Sequence, residues 1–103
     1  MDSQLKKGVL DVCVLHAISK SESYGYKIIS DLQGIIEISE STLYPILKRL
    51  ESGGYLSTRT AEHGGRLRRY YNITADGNKK LLSGKTDLLE IISIHKKLFG
   101  GEL

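Results

Sequence analysis

The run Ile38-Ser39-Glu40-Ser41-Thr42-Leu43-Tyr44-Pro45-Ile46-Leu47-Lys48-Arg49-Leu50-Glu51-Ser52-Gly53-Gly54 opens with hydroxyls, closes with a glycine pair and carries leucines at helical spacing between them. Leu43, Leu47 and Leu50 fall at i, i+4 and i+7, one stripe of a helix. Ser39 or Ser41 can cap the start, Glu40 complements the positive end of the helix dipole, and Gly53-Gly54 stops the helix. Away from the stripe lie Ser41, Thr42, Tyr44, Lys48 and Arg49, with hydroxyls near the N-terminus and cations further along. Pro45 removes one ladder hydrogen bond, which near the first turn predicts only a mild kink. The expected element is a helix with a buried leucine edge and a polar, basic outer face.

Upstream, Leu5 to about Ser19 is apolar on most sides and predicts a helix buried in the core or at a subunit contact. Within it, His16 reads as an interior or interface histidine, because no second metal ligand is spaced nearby, and Cys13 reads as a small buried hydrophobe. Ser21-Glu22-Ser23 offers capping chemistry for a second helix from about Tyr24 to Gln33, whose stripe is Ile28, Ile29 and Leu32 and whose end is Gly34.

Downstream, Tyr55 to about Ala61 and Arg66 to Ile73 read as two extended runs joined by the loop Glu62-His63-Gly64-Gly65. Leu67, Arg69, Tyr71 and Ile73 alternate with Arg66, Arg68, Tyr70 and Asn72, as in a half-buried strand, with Arg69 an exception on the apolar side. Thr74 then caps a last helix with Asp76 in its first turn, and apolar residues recur as far as Phe99. A helix over Thr74–Phe99 would be ~39 Å long, more than one small core can cover, so its apolar side calls for a second subunit. Leu5, Val9, Leu81, Leu88, Leu89, Ile92 and Phe99 are the expected dimer contacts. The expected fold is mainly α with a small β-hairpin: a winged helix-turn-helix over residues 1–73 and a dimerisation helix over 74–103.

With 103 residues the chain is about one domain long, and its single cysteine excludes an internal disulfide. No apolar run approaches the ~18 residues of a membrane span, and the N-terminus lacks a signal-peptide pattern. A cytoplasmic protein without a membrane partner is expected. The net charge of +3 is small, but its distribution is informative. Residues 1–50 hold six basic and six acidic side chains, whereas Lys48 to Ile73 hold six basic (Lys48, Arg49, Arg59, Arg66, Arg68, Arg69) against two acidic (Glu51, Glu62), a net of +4. Such localised charge points to a polyanion.

Two helices preceding a third with a polar outer face give the order of a helix-turn-helix, whose third helix enters the major groove of DNA. Ser41, Thr42 and Tyr44 suit bases or phosphates; Lys48 and Arg49 suit the flanking backbone. Arg66 and Arg68 face one way on alternate positions of the hairpin, and His63 joins them at its tip. A polar helix face is by default only solvated, and an arginine cluster often serves solubility. The helix, the basic hairpin and the pairing tail together outweigh that reading. The rival that keeps the fold is a winged helix that docks on protein rather than DNA. An enzyme is disfavoured: there is no metal-spaced His/Cys set, phosphate-cradling glycine loop or nucleophile–base pair. No cofactor or metal is expected.

The chain also resembles PadR-like transcriptional regulators over almost its full length. The resemblance rests on Leu5-Lys6-Lys7-Gly8-Val9-Leu10, Tyr24-Gly25-Tyr26, Ser41 to Glu51 with its internal Tyr44-Pro45, Gly53, Arg69-Tyr70-Tyr71, Ile73-Thr74 and Gly77. It implies a homodimer that reads a palindrome-like operator, usually as a repressor, with Tyr24 and Lys27 near phosphates and Tyr44 at the groove. Longer relatives carry an extended C-terminal domain, whereas this sequence ends at Leu103 and is similar to short-form members. Some short members bind flat aromatic compounds between the dimer's helices; here there is no tryptophan and the final helix offers only Phe99, so no small-molecule effector is assigned.

Overall fold

The computed structural model describes residues 1–100. The last three positions of the expected 74–103 segment lie outside the described residues. Helix α1 (Ser3–Ser19) is capped by Asp2, whose carboxylate accepts hydrogen bonds from the Gln4 and Leu5 amides at 3.1 and 3.2 Å. It buries Leu10, Val14, Leu15 and Ile18, while His16 is exposed rather than interior.

Helix α2 (Gly25–Leu32) starts after Tyr24 without a side-chain cap. The expected capping by Ser21-Glu22-Ser23 does not occur, because this segment serves the hairpin instead. Ser23 exchanges both backbone hydrogen bonds with Tyr71, at 3.0 and 2.8 Å, and is fully buried.

Helix α3 (Glu40–Ser52) runs unbroken through Pro45. Its N-cap is Ser39, whose backbone carbonyl accepts from the Thr42 and Leu43 amides; the hydroxyl turns to Ser41 and Thr42 at 3.0 and 3.1 Å. Leu43, Ile46, Leu47 and Leu50 are buried and meet Val14, Leu15, Ile18, Ile28 and Leu32 in one core.

Strands β1 (Leu56–His63) and β2 (Arg66–Ile73) pair antiparallel from Leu56↔Ile73 to His63↔Arg66. Only Gly64 and Gly65 remain in the turn, both with positive φ (58° and 80°), the geometry of a tight two-residue hairpin. The expected four-residue loop is thus half strand: Glu62 and His63 are paired. The hairpin also overhangs its core. Of the four residues expected to face inward on β2, Tyr71 is buried and Ile73 half-buried, but Leu67 is 79% exposed. Arg69 faces that side because the Glu51 carboxylate meets it there at 2.9 and 3.0 Å.

Helix α4 (Ala75–Phe99) begins at Thr74, whose hydroxyl accepts from the Gly77 amide and donates to the Gly54 carbonyl at 2.6 Å. Its first part packs on α1, with Leu81 in the core and Gly84 against Val12. Its remainder projects away and gives the molecule extents of 55 × 26 × 22 Å.

Candidate nucleic-acid interface

At about 100° per residue, the direction opposite the buried stripe of α3 falls on Ser41, Pro45 and Lys48. Ser41 and Lys48 are exposed there. Thr42 and Arg49 lean toward α1, and Tyr44, 46% exposed, leans toward the start of α2. The lean of Tyr44 depends on Gly25: a Cβ at that position would stand 2.5 Å from the tyrosine hydroxyl oxygen. Burial, and then the nearby Glu40 carboxylate, push the Tyr44 phenol up, so it meets a partner as a neutral hydroxyl.

The hairpin supplies the second wall. Its register places Arg59, His63, Arg66, Arg68 and Tyr70 on one face. Arg68 lies 3.9 Å above the Tyr24 ring, Tyr24 meets Tyr70 edge-on at 5.9 Å, and Arg59 lies 4.5 Å above Tyr70. This alternation of cations and rings pins the wing to the start of α2. One concave surface results, lined by Tyr24, Tyr26, Tyr44, His63, Arg66 and Arg68. Five of these were expected from sequence; Tyr26, 68% exposed, was not, nor were Leu67, Arg69 and Tyr71, which line the same surface from the other side of β2.

Not every cation counted in the basic segment is available to a ligand. Arg49 is held by Asp11 through two bonds of 2.9 and 2.8 Å, Arg59 by Glu22 at 2.7 and 2.5 Å, and Arg69 by Glu51. Lys27, expected near phosphates, is paired with Asp31 at 2.8 Å. Among the described residues, Lys48, Arg66 and Arg68 have no carboxylate partner. The net charge of this segment therefore overstates its outward field. Three arginines fix geometry instead.

Glu22 and Glu51 grip opposite faces of the hairpin. Glu22 takes Arg59 and the Asn72 amide (2.8 Å), and these bonds hold its carboxyl down at about 2. Glu51 accepts from the Thr58 hydroxyl at 2.8 Å and from Arg69, and its carboxyl is also lowered. Such exposed pairs add little stability, so their importance is positional. A carboxyl with a depressed native value stabilises the fold fully above its ordinary value of 4.5 and loses that contribution as pH falls toward 2. The thermal midpoint of the wild type should accordingly exceed that of Glu22→Gln at neutral pH, with the gap closing between those limits. A gap independent of pH would show that Glu22 is not the clamp.

The expected subunit contacts divide. Leu5, Val9 and Leu88 share a groove between α1 and α4. Leu89, Ile92 and Phe99 are 67%, 44% and 72% exposed along α4. Leu81 is only 8% exposed, a member of the chain's own core and no longer free for a partner. No group of three or more His, Cys, Asp or Glu among the described residues could hold a metal.

Three helices, a hairpin folded beside the third and an exposed face shared by both define a winged helix-turn-helix protein. The chain matches the Transcriptional regulator PadR-like family over residues 14–83. It belongs to that family. It is 41% identical to smu.1704 from Streptococcus mutans UA159, whose crystal structure superposes with a TM-score of 0.80 over 94% of this chain and 92% of that one. It is 28% identical to the transcriptional regulator Rv3488 of Mycobacterium tuberculosis over 96% of this chain and 91% of the relative. Bacillus subtilis PadR, solved in complex with operator DNA, is 29% identical with a TM-score of 0.69; the match covers 73% of this chain and 44% of that protein.

Proposed function

We propose that this protein binds double-stranded operator DNA as a homodimer and represses transcription in the cytoplasm, without catalysing a reaction. Residues 1–73 form the reading head and residues 74–103 the pairing segment. The observation that carries the reading is that Tyr44 of α3 shares one concave surface with His63, Arg66 and Arg68 of the wing, while Ser41 and Lys48 stand exposed on the outer side of the same helix. A helix such as α3 fits a major groove, and cations on the adjacent wing suit a flanking phosphate strand. The operator complex of the related Bacillus subtilis PadR supports the same use of the fold.

Pairing is supported by α4, where Leu82, Leu89, Ile92 and Phe99 form a stripe at i, i+7, i+10 and i+17 and are all exposed. No helix of the described residues is long and apolar enough to cross a membrane. A dimer neutralising about 6–10 phosphates should lose affinity steeply with salt, with a log–log slope near −0.9 per contact. Arg66→Ala and Arg68→Ala should each weaken binding to all duplexes and flatten the slope by about 0.9 per protomer. Thr42→Ala should instead change sequence preference, by about 1–3 kcal/mol at one base pair. Fluorescence anisotropy across a salt series, on duplexes captured from genomic DNA by the purified protein, reads all three. A salt-insensitive wild type would transfer the fold to the protein-docking class. Repression is tested by transcription from a template carrying the captured site, which should fall as protein is added.

A further inference from the structure

A helix lying in a major groove has a phosphate strand on each side, and the wing can reach only one of them. The other flank of α3 faces α1. There a groove is bordered by Ser3, Lys6 and Lys7 of α1 and by Thr42, Pro45 and Arg49 of α3. Its floor is the buried Leu10 and Ile46, and its rim includes Pro45, which belongs to the outermost line of α3, so the groove opens on the exposed side of that helix. We propose that Lys6 and Lys7 clamp the backbone of the same duplex, on the strand opposite the one the wing follows. This inference rests on the DNA-binding reading above.

The electrostatics of α1 favour it. Its neighbouring carboxylates are already engaged: Asp2 by the Gln4 and Leu5 amides, and Asp11 by both terminal nitrogens of Arg49. Among the described residues neither lysine has a carboxylate partner. Lys7 is exposed and Lys6 half-buried, both on a rigid helix of 17 residues. Arg49, the cation on α3 nearest this flank, is neutralised, so Lys6 and Lys7 are what the groove offers to an anion. A helix is ~10–12 Å across with its side chains and the major groove is about 12 Å wide. A helix seated in that groove fills it, so cations on its two flanks face different backbones.

The test uses the full chain and a mixed-sequence duplex of about 30 base pairs, three helical turns. Binding is measured across a salt series for the wild type, Lys6→Ala/Lys7→Ala, Lys6→Arg/Lys7→Arg and Arg66→Ala/Arg68→Ala. Lys79→Ala/Lys97→Ala, on α4, serves as a control of equal charge loss. The Lys6/Lys7 alanine pair should lower the magnitude of the log–log slope by about 0.9 for each lysine in each bound protomer. The arginine pair should retain the wild-type slope, and the α4 pair should leave it unchanged. Light scattering and thermal melting of each variant should match the wild type. If the Lys6/Lys7 alanine pair keeps the wild-type slope, or changes it no more than the α4 pair, while Arg66→Ala/Arg68→Ala flattens it, the clamp is wrong and the DNA-binding reading stands. A wild type with no salt-dependent binding removes both.

Discussion

Leu89→Glu is expected to convert the protein into a monomer and to weaken operator binding by ~10²–10⁴-fold, the range lost when two linked binding events become separate ones. Leu89 is 67% exposed on α4, two turns from Leu82 and three residues before Ile92, so the described residues leave most of it uncovered. A carboxylate in an apolar seam must be desolvated without a partner, which opposes association far more than it disturbs the isolated fold. Ile92→Glu should behave alike. Leu81→Glu should not: that side chain lies in the core with Leu10 and Val14, and the same charge there should unfold the protomer. Light scattering separates the outcomes. A Leu89→Glu protein that keeps the wild-type mass would remove α4 from the subunit contact.

A large effect on the isolated fold, short of unfolding it, is expected from Gly77→Ala. Thr74 and Gly77 close the junction between the hairpin and α4, where the Tyr55 carbonyl accepts from the Thr74 amide at 3.1 Å. A Cβ on residue 77 would overlap that carbonyl oxygen and stand 2.7 Å from Cγ1 of Ile73. The first obstacle is backbone, so relief requires α4 to move away from the hairpin. Overpacking of this kind costs ~1–3 kcal/mol, and in a domain near 100 residues each kcal/mol is about 4–8 °C of melting temperature. A midpoint lowered by roughly 10 °C in thermal melting is the expected outcome. A variant melting with the wild type would mean that the junction is looser than its geometry implies. Gly25→Ala makes an informative contrast, since its obstacle is the movable end of the Tyr44 side chain rather than a carbonyl.

How far these features could be read beforehand follows the range of the interactions that make them. The helix of Glu40–Ser52 was legible because its caps and leucine spacing are local. The strand order and the long α4 were legible for the same reason. What failed was long-range. Glu22 pairs with Arg59, 37 positions away, and with Asn72, 50 away, so a segment that looks like a helix cap instead grips the wing. Arg69 seemed misplaced in its strand because its partner, Glu51, is on a different element. Counting charges along the chain placed the cationic surface in residues 48–73, yet Arg49, Arg59 and Arg69 are all paired internally. The same count made the first 50 residues neutral and so passed over Lys6 and Lys7. Alternation marked Leu67 as inward-facing, but a hairpin that outreaches its core has no interior at that distance.

Glu22, from the segment between α1 and α2, and Glu51, from α3 itself, seize the hairpin from its two faces. Helix and wing are in consequence a single casting, with little play between them. Whatever adjusts such a protein has small purchase on the shape of the head itself. In the proposed pair the natural lever is instead the distance and angle between heads, set by how two copies of α4 would cross.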